Sequence, residues 1–275
     1  MLTTDQINRL QGISRQIRRN IITAIYEGGS GHPGGSLSCV EILCALYFQV
    51  MNIDPAYPEL PDRDRFVLSK AHAAPALYAT LAERGYFPKD WLLRFSHDNS
   101  PLQKHIDMHR VPGVDVSGGS LGQGLSIGVG MALAGRLDRS QRRVYVCLGD
   151  GELDEGQNWE AAMAAVHFRL NNLTALVDRN CLQVDGSTAC VMNLEPLEDK
   201  WRAFGFHTLS VNGHEIEAVV AALEQARRHQ DRPTVILAQT IKGKGISFIE
   251  NRVEWHAGSL TLEQARQAMS ELDLA

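Results

Sequence analysis

The sequence has 275 residues, 44% hydrophobic and 21% charged, a composition suited to a soluble globular protein with one sizeable core. With 32 acidic and 27 basic side chains the net charge is -5, and no long Lys/Arg run offers the basic stripe that tracks nucleic acid. No stretch approaches the roughly 18 apolar residues of a membrane span and no basic-then-apolar leader opens the chain, so a cytoplasmic protein with no nucleic-acid or membrane partner is expected.

In chain order, apolar residues at Leu10, Ile13, Ile17, Ile21 and Ile25 recur at helical spacing and predict a long helix over Ile7 to Tyr26. The helix-breaking segment Gly28 to Gly35 reads as a loop, followed by a second helix from Leu37 to Val50. Arg65 to Ser69 predicts a buried strand and Ala73 to Arg84 a helix. Pro101 to Gly119 is irregular, and Leu121 to Leu137 reads as a small-residue helix packed on a sheet.

Further strands are predicted at Arg143 to Leu148, Leu173 to Val177, Phe206 to Val211 and Thr234 to Gln239, with one exposed helix after Ala257. Strands alternating with helices, and near-continuous apolar strands such as Val144 to Leu148, predict an α/β fold: a parallel sheet covered by helices on both faces. No repeat or linker divides the chain, so residues 1–275 are read as one domain. The cysteines, Cys39, Cys44, Cys147, Cys181 and Cys190, form no C-x-x-C pair and are read as reduced.

The strongest chemical signal is Gly149-Asp150-Gly151, between a buried strand and a helix starting near Glu155, at the strand end where parallel sheets bind ligands. The next strand runs into Asp178-Arg179-Asn180-Cys181-Leu182, and a right-handed crossover sets Asn180 beside Asp150. The Asp150 carboxylate, the Asn180 amide and the Leu182 carbonyl make three hard oxygen ligands suited to magnesium, completed by diphosphate and water. Gly151 leaves room for a phosphate, and the amides of the following helix start can donate to it.

This pairing resembles the thiamine-diphosphate signature, and the surrounding segments are similar to those of transketolases. Gly149 to Gly156, Val184-Asp185-Gly186, Ser30-Gly31-His32-Pro33-Gly34, Asp64 to His72, Gly119 to Gly124, Ile241 to Gly245 and Glu254-Trp255-His256 carry the resemblance in matching order. It implies the diphosphate-binding domain of that family, with thiamine diphosphate and Mg2+ as cofactors, Ca2+ or Mn2+ being able to substitute. His72 and His256 would reach the diphosphate, joined there by Gly122, Gly124, Gly149, Asp150, Gly151, Glu152 and Asn180. His32 and His105 would complete a catalytic group around the substrate hydroxyls and the reacting carbon, where imidazoles can donate or accept protons.

Two departures stand out: Lys104-His105-Ile106 replaces the family's usual glycine before and proline after its third histidine, and Ala71 replaces a frequent glycine before His72. Glu155 and Glu160, at the start of a helix, favour the macrodipole by their charge alone. The resemblance adds a second reading, in which they lie near a dimer interface and link paired active sites. The other six histidines, including His109 and His214, are read as structural.

The family's catalytic glutamate belongs to a pyrimidine-binding domain for which this chain has no remaining length. The resemblance therefore implies an N-terminal subunit completed by a C-terminal partner chain in an α2β2 assembly. Together they would transfer a two-carbon ketol unit from a ketose phosphate to an aldose phosphate. Subunits related to deoxyxylulose phosphate synthase or to the alpha chain of 2-oxo acid dehydrogenases, and a non-catalytic regulatory subunit, are the alternatives. Gly122-Gln123-Gly124 with Gly128 is one residue out of register for a dinucleotide-binding loop.

Overall fold

A computed structural model describes residues 2–274. Helix α1 (Thr4–Glu27) opens with a capping box in which the Thr3 hydroxyl accepts from the Gln6 amide while the Gln6 side chain accepts from the Thr3 amide. Of the stripe that the spacing predicts, Leu10, Ile17, Ile21 and Ile25 are buried, while Ile13 is only half-buried against the same core.

The single helix expected over Leu37 to Val50 is instead three pieces: α2 (Pro33–Ser38), α3 (Val40–Ala45) and a π-helical turn, Leu46–Val50. The glycine-rich loop therefore ends at His32, because Pro33 starts a helix readily and Gly34 and Gly35 are tolerated where backbones crowd. A Cβ on Gly34 would sit 2.7 Å from the Trp255 carbonyl oxygen.

Strands β1 (Arg65–Leu68), β2 (Val144–Gly149), β3 (Leu173–Arg179), β4 (His207–Asn212) and β5 (Thr234–Gln239) form one parallel sheet in the order β1-β2-β3-β5-β4. Alternate residues of each central strand serve opposite cores. Tyr145, Cys147, Leu176 and Ile236 pack with α1, α3, α4 (Ala74–Arg84) and α9 (Ile216–Arg228). Val144, Val146, Leu148, Val177 and Leu237 pack against the other layer, α5 (Gly124–Leu137), α6 (Gly156–His167) and α8 (Leu197–Phe204). The apolar runs are continuous because both sheet faces are covered.

Helix α5 starts at Gly124 rather than Leu121, since Gly122 has φ +81° and breaks the helical path. The short α7 (Thr188–Val191) follows β3. The helix expected after Ala257 is α10 (Leu262–Leu274), but it is not wholly exposed: Ala265, Ala268 and Leu272 are buried in the core that α1 also faces, and Asp273 pairs with Arg19. No described helix is long and apolar enough to cross a membrane.

Candidate active site

The carboxyl ends of β1, β2, β3 and β5 deliver a charged or polar residue each to one edge of the sheet. Under that edge lies a buried ion pair, Lys70 with Asp178, whose side chains are 1% and 0% exposed. Lys70 Nζ also donates to the Gly35 carbonyl at 2.8 Å. Asp178 accepts from Ser38 Oγ at 2.5 Å, from Thr240 Oγ1 and, at 3.4 Å, from Asn180 Nδ2. Burial alone would raise its pKa, but the Lys70 charge and these donors hold it below the usual carboxylate range.

Above this pair, Asp150 and Asn180 are neighbours, as the crossover requires. Asp150 Oδ2 accepts from the Cys181 amide at 2.5 Å and Oδ1 from the Gly151 amide at 2.8 Å. Asn180 Oδ1 accepts from the Leu182 amide at 3.1 Å, which turns the Leu182 carbonyl towards Lys242 Nζ, 3.1 Å away. Burial, with the Asp178 charge beside it, raises Asp150 to about 6. A buried carboxylate so placed gains from a cation, and an ammonium already stands against the Leu182 carbonyl. One carboxylate, one amide oxygen and one carbonyl are hard donors that fit Mg2+ when phosphate oxygens complete the shell. Among the described residues no group of three or more His, Cys, Asp or Glu side chains offers a softer metal site.

Beside this set, His32, His72 and His256 form a triangle with ring centroids 5.2 to 5.6 Å apart. Each is held neutral at pH 7. Burial, then the Lys70 charge, puts His72 well below its ordinary value; burial, then Lys242, lowers His256 to about 4; burial, then Lys104, lowers His32. Lys242 is itself lowered to about 8 by burial and by Lys70, and it donates to His256 Nδ1 at 3.0 Å. That bond leaves the His256 proton on Nε2. Gly31 and Gly258 exchange two backbone bonds of 2.9 Å, which clamps the loops of His32 and His256 together. His105 lies outside the triangle and exposed, over Gly119, where a Cβ would touch its ring at 3.4 Å.

The remaining sequence candidates divide. Gly149, Gly151 and Glu152 line the same pocket as Asp150 and His72. The Glu152 carboxylate is fully engaged, accepting from Ser69 Oγ and the amides of Gly122 and Gly149. Gly124 donates to Ser69 Oγ at 3.1 Å, and a Cβ on it would collide with the Ser69 side chain. Glu152, Gly122 and Gly124 thus bind three loops to one another. Glu155 and Glu160 are exposed, the first as the N-cap of α6 and the second within it. Sequence reasoning missed Lys70, Asp178 and Lys242 as site residues. The available signal was charge at the end of an apolar strand, most visibly Asp178 at the close of Leu173 to Val177.

Residues 11–274 match the protein family described as the transketolase thiamine diphosphate binding domain. The chain belongs to that family. It is 50% identical over 264 residues to a 6-deoxy-6-sulfo-D-fructose transketolase subunit of Clostridium sp. (strain MSTE9), covering 96% of each chain. To one of the subunits of an apulose-4-phosphate transketolase from Actinobacillus succinogenes it is 42% identical over 266 residues, again covering 96% of each. Among solved structures, a transketolase from Leishmania mexicana superposes with a TM-score of 0.91 at 30% identity, over 96% of this chain and 41% of that one. A Pichia stipitis transketolase in complex with sedoheptulose 7-phosphate gives 0.90 at 31%, over 96% and 40%. The diphosphate-binding domain thus accounts for about two fifths of those longer transketolases, and for nearly all of the subunit-length relatives.

Proposed function

We propose that this chain is the thiamine-diphosphate-binding subunit of a two-chain transketolase, holding the diphosphate through Mg2+ on Asp150, Asn180 and the Leu182 carbonyl. The observation that carries the reading is the convergence of those three oxygens, the Lys242 ammonium and three neutral histidines on one sheet edge.

When bound, thiamine diphosphate supplies the nucleophilic carbon and electron sink for breaking and remaking a ketose carbon–carbon bond. The chain's part is to bind, orient and move protons. Lys242 and the amide of Gly151 offer positive charge and a donor to phosphate oxygens. His32, His72 and His256, being neutral, can each accept a proton from a sugar hydroxyl or return one. Glu155 and Glu160 keep the interface reading. We place a partner chain with the pyrimidine-binding half beside this one, in an α2β2 assembly; relatives that are named as subunits and match over nearly their whole length support the partner. Those relatives are named for a sulfonated fructose and for apulose 4-phosphate, which supports a sugar bearing an acidic group as substrate.

The test is ketol transfer with phosphorylated and sulfonated ketoses, Mg2+ and thiamine diphosphate, on this chain with and without the product of a neighbouring gene that resembles a transketolase C-terminal half. Transfer only in the mixture is expected. Transfer by this chain alone would overturn the two-chain reading, and its absence from the mixture would overturn the ketol-transfer reading.

A further inference from the structure

Lys104 stands at the rim of the histidine triangle, and nothing in the mechanism above uses it. It sits on the irregular loop between the short 3-10 helix Lys89–Arg94 and α5, immediately before His105. Its ammonium reaches across to the loop that precedes α2 and donates to Ser30 Oγ at 2.5 Å, two residues before His32. Its charge is felt at the His32 ring, where it is the largest lowering influence after burial.

The partner it has found is a neutral hydroxyl. Among the described residues no carboxylate lies within ion-pair distance of Lys104, whereas the other lysines at the site are engaged: Lys70 with Asp178, Lys242 with the Leu182 carbonyl and His256. The three imidazoles beside it are neutral, so the outer part of the triangle carries one uncompensated positive charge, on a flexible stem, with its head exposed. Such a group costs little to keep in water and gains most from an anion brought to it. A hydroxyl-lined sugar without charge would leave it as it is.

We infer that Lys104 is a specificity residue that pairs with the acidic group of the sugar substrate, a phosphate or a sulfonate. This rests on the ketol-transfer reading above. The ammonium, released from Ser30, forms a charge-assisted hydrogen bond to an anionic oxygen of the sugar on the His32 side of the triangle. Phosphate and sulfonate share three acceptor oxygens and negative charge, and differ in that phosphate carries close to two charges at neutral pH. Lys104 is not placed in the bond-breaking chemistry.

The experiment uses the two-chain enzyme with Mg2+ and thiamine diphosphate and three donors: fructose 6-phosphate, its 6-sulfonate counterpart and unmodified fructose. The Lys104→Met variant removes the charge and keeps the length, while Lys104→Arg keeps the charge. Because the side chain is exposed, neither change threatens folding. The expected result is that Lys104→Met lowers the ratio of kcat/KM for an acidic donor to kcat/KM for fructose roughly ten-fold, mainly through KM, as loss of one charge-assisted bond should. Lys104→Arg should restore most of it. A fall with the phosphate alone or the sulfonate alone identifies which group is read. A ratio unchanged in Lys104→Met, or a loss shared equally by charged and uncharged donors, overturns the inference while leaving ketol transfer intact. No transfer by the unaltered enzyme from any donor overturns the functional reading, and this one with it.

Discussion

At the scale of single residues the site is organised around Asp178. This one buried carboxylate receives hydrogen bonds from residues after β1, in α2, after β5 and in its own strand's exit turn, so four elements share a single acceptor. Its bond to Asn180 Nδ2 fixes the amide so that Oδ1 faces the other way, towards the Leu182 amide. Replacing Asp178 by Ala would strand a buried ammonium on Lys70, a situation that costs about 3 to 5 kcal/mol. We expect Asp178→Ala to lower stability by that order in urea unfolding, and Lys70→Met in the same chain to recover a large part of the loss. Asp150 acts differently, since its surroundings are half-built for a cation. Asp150→Ala should leave the unfolding midpoint near its original value while weakening Mg2+-dependent binding of thiamine diphosphate by the two-chain enzyme at least roughly ten-fold, read by calorimetric titration.

At the scale of elements, α1 and α3 are joined to the chain after β4 by a buried network. Arg18 of α1 makes a two-pronged pair with Glu41 of α3, at 2.6 and 2.8 Å, and donates to the Lys244 carbonyl. Glu41 also meets His214 Nδ1 at 2.9 Å, and His214 Nε2 accepts from the Ile241 amide at 2.7 Å, one residue from Lys242. Burial would push the Glu41 carboxyl up, but the Arg18 charge and the His214 bond bring it down from 4.5 to about 2. The group is more acidic folded than unfolded, so its contribution is complete above about pH 4.5 and is lost as pH falls from there towards 2. At about 1.4 kcal/mol per pH unit the contribution is of the order of 3 kcal/mol. Glu41→Gln should therefore be less stable than the parent at pH 7 and lose stability less steeply between about pH 5 and pH 3, measured by urea unfolding at each pH.

At the scale of the whole molecule, one end of the sheet carries the pocket, and the segment after β3 exposes apolar side chains beside it. Val184 lines the pocket yet is 58% exposed, and Val191 and Met192, which close α7, are 42% and 60% exposed. A partner completing the cofactor site would have to pass over this segment. Hydrogen exchange should slow between residues 183 and 192 when the partner chain and thiamine diphosphate are added together. The buried amides of β2 and β3 should change little. Unchanged exchange in that segment, alongside restored activity, would place the contact elsewhere.

Much of this architecture was legible in the residues. The five strands follow from runs of apolar residues bounded by breakers, and Asp150 and Asn180 follow from two successive strand ends in a right-handed fold, because a parallel sheet places consecutive strand exits side by side. Three of the matched histidines converge, and so do the loops that carry them. What the residues alone could not decide is long-range geometry. Lys70, Asp178 and Thr240 are 62 to 108 positions apart in their pairings, so no local pattern announces that they meet. Nor does the composition of Leu37 to Val50 show a helix cut at Cys39, where the backbone leaves the helical path at φ -98° and ψ 13°. Glu152 reads as a ligand in the sequence and as a clasp in the fold, because its oxygens meet Ser69 and the amides of Gly122 and Gly149 only after three loops have closed. Periodicity and strand ends determined the framework; the identity of each buried charge's partner was decided by tertiary packing, where the cost of an unpaired group leaves few alternatives.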